Sequence, residues 1–240
     1  MGRHGTIAGR KAAQDSKRAA LFTKYAKAIT VAAKDGGDPE YNAGLRVAIE
    51  KAKAISMPND NIQRAIKKGT GELEGVSYEE LSFEGYGSGG VAFIVDCLTD
   101  NTNRTTSAVK STFDKYGGNI GTPGCVSYMF SRKGVLIIEK SDEVNEEELM
   151  EAALEAGADD IVSDEESFTI YTDPSVYTDV HQALTSAGYE LVESDIEFVP
   201  SMESTPSEND IPKLRKLIDV LEDNDDVQKV HTNCAIDLYE

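Results

Sequence analysis

Tryptophan is missing from this 240-residue chain, and cysteine and histidine occur only three times each. Cys97, Cys125 and Cys234 make no C-x-x-C pair and have no histidine at ligand spacing, which excludes a disulfide framework and a zinc site of recognisable pattern. Such cysteine usage is that of a reducing, cytoplasmic compartment. His4, His181 and His231 are scattered, without a Ser-His, Cys-His or H-E-x-x-H arrangement, so nucleophilic and zinc mechanisms have nothing to rest on. Long apolar runs are also lacking. Val91–Val95 falls far short of the ~20 residues that span a bilayer, and the N-terminus has no apolar stretch of the secretory kind. These absences lead to the expectation of a cytoplasmic protein that is not an enzyme, with no cofactor, no metal, no small-molecule substrate and no membrane.

Positive charge is scarce as well: 24 Lys and Arg against 43 Asp and Glu give a net charge of -19, which at face value repels a phosphate backbone. The shortage is unevenly spread. Residues 1–70 hold 14 basic and 6 acidic side chains, a net of +8, whereas residues 141–240 hold 4 and 28, a net of -24. Because salt screens surface charges beyond roughly 10 Å, a basic module can act independently of a distant acidic one.

The first 70 residues have helical periodicity. Leu21, Phe22, Tyr25, Ile29, Ala32 and Ala33 form one stripe between Ser16 and Lys34, with Lys17, Lys24, Lys27 and Lys34 largely on the other side. Asp35–Pro39 is a turn, Leu45, Ala48, Ile49, Ala52 and Ile55 mark a second helix, and Ile62, Ala65 and Ile66 a third, stopped by Gly69. After residue 80 the period becomes two. Strands over 81–84 and 91–98, a helix over 102–116 and a strand over 125–130 give ββαβ. Residues 135–199 then read βαββαβ, the ferredoxin-like order. A helix over 208–222 and a strand over 227–236 have no core of their own and are expected to return to the ββαβ portion. The fold class is therefore α+β: an N-terminal three-helix domain (1–77), then two ferredoxin-like α/β domains, one discontinuous (78–133 plus 206–240) and the other, acidic, inserted into it (134–205).

Gly85–Gly90 is rich in glycine, but a strand follows it where a dinucleotide fingerprint needs a helix, so it reads as a hairpin turn. Thr99–Thr105 lies at a strand-to-helix junction. It reads as a cap in which Asp100 or Thr102 accepts from the helix, or as an anion contact using Arg104. The acidic stretch 145–148 suits a helix start, and Asp223-Asn224-Asp225-Asp226 lacks the Gly and closing Glu of a calcium loop and reads as a turn. The strong feature is the basic arm. Arg3, His4, Arg10, Lys11, Lys17, Arg18, Lys24 and Lys27, together with Arg64, Lys67 and Lys68, are the candidate nucleic-acid contacts, and Tyr86, Asn101, Asn103 and Arg104 are candidate loop contacts. Nothing forms a recognisable base-reading helix, so sequence specificity is not expected.

Several stretches carry a family resemblance: Arg10–Arg18 with Phe22-Thr23-Lys24, Met57–Gly69, Glu84–Gly90, Leu98–Arg104 and Gly124–Phe130. In this order they resemble the YebC/PmpR proteins of bacteria, a family that includes the mitochondrial translational activator of cytochrome c oxidase. The match is close over residues 1–140 and weaker, in the same element order, beyond. The resemblance implies three domains without catalytic activity, in a family described as probable transcriptional regulators that bind DNA. Members are also linked to ribosomes and to the relief of stalling on proline-rich sequences. Two departures stand out. His4-Gly5-Thr6-Ile7 replaces the family's His-Ser-Lys-Trp, removing an aromatic that could stack on a base, and Gly87-Ser88-Gly89 replaces Gly-Pro-Gly.

The reading that joins these observations is a non-enzymatic, nucleic-acid-binding regulator of gene expression whose basic domain docks on phosphates while the acidic body points away. DNA is the partner on the family description. The alternatives are a ribosome-associated translation factor on ribosomal or transfer RNA, and an acidic adaptor for a basic protein partner.

Overall fold

The structure, a computed structural model, describes residues 18–141 and 144–239. They form two compact units. One runs to Val126 and adds Pro206–Thr232; the other comprises Ser127–Thr205 and the residues from Asn233 onward.

The first unit opens with three helices, α1 (Arg18–Ala32), α2 (Ala43–Ala54) and α3 (Asn59–Gly69). The apolar stripes close on one another: Ile29 and Ala33 meet Leu45, Ile49 and Ala52 of α2 and Ile62, Ala65 and Ile66 of α3. Burial of side chains of this size contributes about 1.5–3 kcal/mol each. Gly69 permits the closest approach, since a Cβ there would collide with the Thr30 carbonyl oxygen and the Ala33 methyl. Asn42 fixes the α1–α2 corner with three hydrogen bonds. Its Oδ1 accepts from Leu45 N (2.9 Å) as the α2 N-cap, and its Nδ2 donates to the Ala32 and Gly36 carbonyls, both at 2.8 Å.

The same unit contains a four-stranded antiparallel sheet of order β3-β1-β2-β8, built from β1 (Glu79–Tyr86), β2 (Ala92–Thr99), β3 (Asn119–Ile120) and β8 (Val227–Thr232). β1 and β2 are a hairpin in register from Glu79↔Thr99 to Tyr86↔Ala92. The glycine turn between them is held by sterics: a Cβ on Gly87 would lie 2.7 Å from both Leu214 and Phe93, and Gly89 has φ 72°. Helices α4 (Thr102–Lys115) and α7 (Ile211–Glu222) cover the sheet. Phe93 meets Phe113 edge to face with centroids 5.8 Å apart, and Leu214, Leu217, Ile218 and Leu221 are buried.

The second unit contains β4 (Phe130–Glu139), α5 (Glu146–Glu155), β5 (Asp160–Ser163), β6 (Ser167–Thr172), α6 (Tyr177–Ser186) and β7 (Leu191–Pro200). Its antiparallel sheet has the order β5-β6-β4-β7, the split-βαβ arrangement. Leu136, Ile138, Leu149, Phe168, Ile170, Val180 and Leu184 form its core. Asn145 caps α5, accepting from Glu147 N and Glu148 N.

The α+β class holds, and the two compact units alternate along the chain; two strand ends move. No strand forms over 125–129. Both carboxylate oxygens of Glu84 accept from backbone N–H groups there, Gly124 at 2.8 Å and Val126 at 2.9 Å, and Tyr86 Oη donates to Cys125 O. The segment is a loop followed by a 3-10 turn at Ser127–Met129, and the strand begins at Phe130, paired with Pro200 in the second sheet. The first unit's opening segment ends at Val126. Likewise β8 ends at Thr232, because Cys234 bridges to Ser204 and Asn233 Nδ2 donates to Met202 O.

The Asn42 corner is testable. Asn42→Ala removes the cap and both donors and is expected to lower the urea unfolding free energy by about 2 kcal/mol. Asn42→Asp keeps the acceptor and is expected to recover roughly half; full recovery would show that the carbonyl tie contributes nothing.

Candidate functional site

Where α1 meets the β2–α4 and α7–β8 turns, basic and acidic side chains converge on Asp226. Its carboxylate, 5% exposed, divides its two oxygens. Oδ1 accepts from Lys27 Nζ at 2.6 Å; Oδ2 accepts from Arg104 Nη2 and from Thr105 Oγ1, both at 2.8 Å. Lys27 Nζ also donates to Asp225 O (2.8 Å) and stands 5.6 Å from the centre of the Tyr78 ring. Lys24 Nζ donates to Glu222 O at 2.7 Å, placing a cation on the C-terminal carbonyls of α7 where the helix dipole favours one. Arg104 is further held by Asp100 Oδ1 at 2.7 Å.

Local sequence produces this geometry. Asn101, in extended conformation, caps α4 by accepting from Arg104 N at 3.0 Å. That leaves Asp100 for the Arg104 guanidinium, whereas the sequence pattern had pointed to Asp100 or Thr102 as the cap. Burial alone would raise the Asp226 pKa, but the hydrogen bonds from Lys27, Arg104 and Thr105 outweigh it and hold the carboxyl at about 2. A cavity of about 440 Å³ opens beside the cluster, lined by Lys27 and Arg104 together with Asp100, Asp223, Asp225 and Asp226. Carboxylates outnumber cations there, so it is no anion site.

The expected contacts accordingly divide. Lys24 and Lys27, read as part of the phosphate-facing side of the first helix, are 9% and 8% exposed and bind this protein's own α7–β8 segment. Arg104 is half exposed but paired with two carboxylates. Tyr86 is turned to the Cys125 carbonyl and Asn101 serves as a cap, while Asn103 is exposed. Arg64, Lys67 and Lys68 stand exposed on α3, and among the described residues their side chains have no polar partner, nor has Lys53 of α2. Arg18 opens α1; Arg3, His4, Arg10, Lys11 and Lys17 lie outside the described residues. The residue that sequence reasoning missed is Asp226. Its signal was weak: one of four consecutive turn-forming polar residues in the most acidic part of the chain.

The remaining reactive groups have structural surroundings. Burial, reinforced by Asp96 and Asp226, pushes the Cys97 thiol up to about 12, and burial also raises Cys125 and Cys234, the opposite of an activated nucleophile. His231 Nε2 lies 3.2 Å from Asp96 Oδ2, and the His181 ring packs against Tyr177. Among the described residues no three His, Cys, Asp or Glu side chains converge as a metal site, and no helix is long and apolar enough to cross a membrane.

Asp226 governs acid stability. With its folded pKa near 2 against 3.8 for a free carboxyl, it contributes about 2–3 kcal/mol above pH ~5, a contribution that fades as pH falls through 4 toward 2. Asp226→Asn is expected to flatten this limb of the stability–pH curve and, by stranding the buried Lys27 ammonium, to cost about 3–5 kcal/mol at neutral pH. Lys27→Met combined with Asp226→Leu is expected to regain most of that loss in urea unfolding. A single Asp226→Asn variant as stable as the wild type would remove the cluster from the architecture.

The N-terminal domain model of the TACO1/YebC proteins matches residues 3–72, and the model of the TACO1/YebC second and third domain matches residues 78–234. A probable transcriptional regulatory protein of Clostridioides difficile is 51% identical over 99% of this chain and 100% of its own length. Another from Bacillus licheniformis is 54% identical over 95% of each. The crystal structure of the conserved hypothetical protein Aq1575 from Aquifex aeolicus superposes with a TM-score of 0.88 at 45% identity, covering 98% of both chains. With both family models matched in order along one chain, the protein belongs to the TACO1/YebC family.

Proposed function

We propose that the protein is a non-enzymatic, cytoplasmic regulator of gene expression that acts in transcription by binding DNA, docking on the phosphate backbone through its helical part. The observation that carries this reading is the sorting of the basic side chains. Lys24, Lys27 and Arg104 are used up internally, whereas Lys53, Arg64, Lys67 and Lys68 are exposed with no polar partner among the described residues. Cations left in this state on neighbouring helices are what counterion release from a phosphate backbone requires. The names of the bacterial relatives support a role in transcription.

Docking through phosphates predicts affinity without strong sequence preference, falling steeply with salt. The triple variant Arg64→Glu, Lys67→Glu, Lys68→Glu is expected to lose duplex DNA binding at 100 mM salt. Neutralising the same residues to Ala is expected to reduce the slope of log K against log salt by roughly 2–3, from about 0.9 per phosphate contact. Unchanged affinity in both variants would reject the docking surface. Retention on promoter fragments, with the protein absent from sedimented ribosomes, is the outcome expected of a transcriptional role; the reverse distribution would reassign it to translation.

A further inference from the structure

Beside the cations of α3 lies a second, wide-mouthed cavity of about 410 Å³. Its floor is apolar, made by Ile49, Ile62 and Ile66. One wall carries Lys53, Asn59 and Gln63, and the other is the Gly37–Pro39 turn. Asn59 and Gln63 are one helical turn apart on α3 and both exposed. Among the described residues neither side-chain amide has a hydrogen-bond partner. Each amide offers a donor and an acceptor in the geometry that pairs with a base edge.

The charges around the cavity narrow the occupant. The lining carries one cation, Lys53, and one carboxylate, Asp38, and Asp60 occupies the first turn of α3. A phosphate is therefore not favoured inside, whereas a neutral heterocycle is. The phosphate cations Arg64, Lys67 and Lys68 follow on the same helix, so a nucleotide strand tracking α3 can leave its phosphates on them and place a base in the cavity. Tyr41, 88% exposed, follows two residues after the Gly37–Pro39 wall, its N–H donating to Asp38 O at 3.2 Å. An aromatic ring so placed offers a stacking surface to a base or its neighbour.

We propose that this cavity receives one unpaired nucleobase, with Asn59 and Gln63 reading its edge and Tyr41 supplying a stacking surface. The assignment rests on the phosphate-docking reading and adds to it a preference that phosphates alone cannot give: bulged or single-stranded nucleotides over continuous duplex. DNA and RNA share this chemistry.

The test uses the full chain and hairpin probes, in DNA and in RNA, each carrying one bulged 2-aminopurine or its fully paired counterpart. Wild-type protein is expected to bind a bulged probe roughly tenfold more tightly than its paired form and to change the 2-aminopurine fluorescence. Asn59→Ala with Gln63→Ala is expected to bind bulged and paired probes equally, at the wild-type affinity for the paired one and with the same salt slope. Gln63→Glu, an isosteric change at an exposed position, is expected to lose the preference too, and an unaltered thermal transition establishes that each variant is folded. Equal wild-type binding to bulged and paired probes, or a preference that persists in these variants, would overturn the base site while leaving phosphate docking intact. Undiminished binding of all probes by the Glu triple variant at α3 would instead overturn the docking reading itself. Whether the preference is found on the DNA or the RNA pair identifies the source of the base.

Discussion

A buried carboxylate and a buried ammonium must find each other or both become costly, and the junction of α1 with the α7–β8 turn is organised by that requirement. Asp226 cannot be removed from water unless Lys27, Arg104 and Thr105 all reach it. Together with the carboxylate itself, those groups come from three segments distant in sequence. Satisfying one carboxylate thus sets the approach of the first helix, the start of α4 and the last strand of the sheet. An ion pair of this kind is a poor source of net stability compared with an apolar replacement; what it supplies is a penalty for any misplacement of its members.

The same junction decides which cations remain for other work. Lys24 and Lys27 neutralise the α7 C-terminus and the turn after it, so the basic character of the helical part is displaced toward α3 and the end of α2. A count of lysines and arginines overstates the surface charge there, and the counting unit that matters is the cation without a partner. Around the second cavity the opposite holds: charge is balanced, and polar amides with an apolar floor dominate.

Much of this was legible in the residues. The three apolar stripes located the helices, period-two runs located most strands, and the αβ tail without a core of its own pointed to its return beside β2. The errors have identifiable physical causes. Periodicity says which face of α1 meets its own helical neighbours but not whether something else covers the opposite face, so by itself it assigns Lys24 and Lys27 to solvent. Val126 and Met129 look strand-like, yet the side chain of Glu84, some 40 residues earlier, claims the backbone of the loop before them. Asp226 was hidden because its role depends on partners 121 to 199 residues away, and no local pattern carries that information. Asn59 and Gln63 were visible as residues, but their convergence with the Gly37–Pro39 turn exists only after folding.

The long separation of Lys27 and Asp226 also places a demand on biosynthesis. The 199 residues between them take roughly 10–40 s to translate at about 5–20 residues per second. Throughout that interval the helical part has an ammonium without its counter-ion, and β2 lacks its neighbour β8. The inserted unit's sheet, β4 to β7, is fully synthesised before either arrives. Vectorial synthesis therefore lets the β4–β7 sheet form first and keeps the basic unit, although its helices are translated before that sheet, incomplete until Asp226 and β8 emerge.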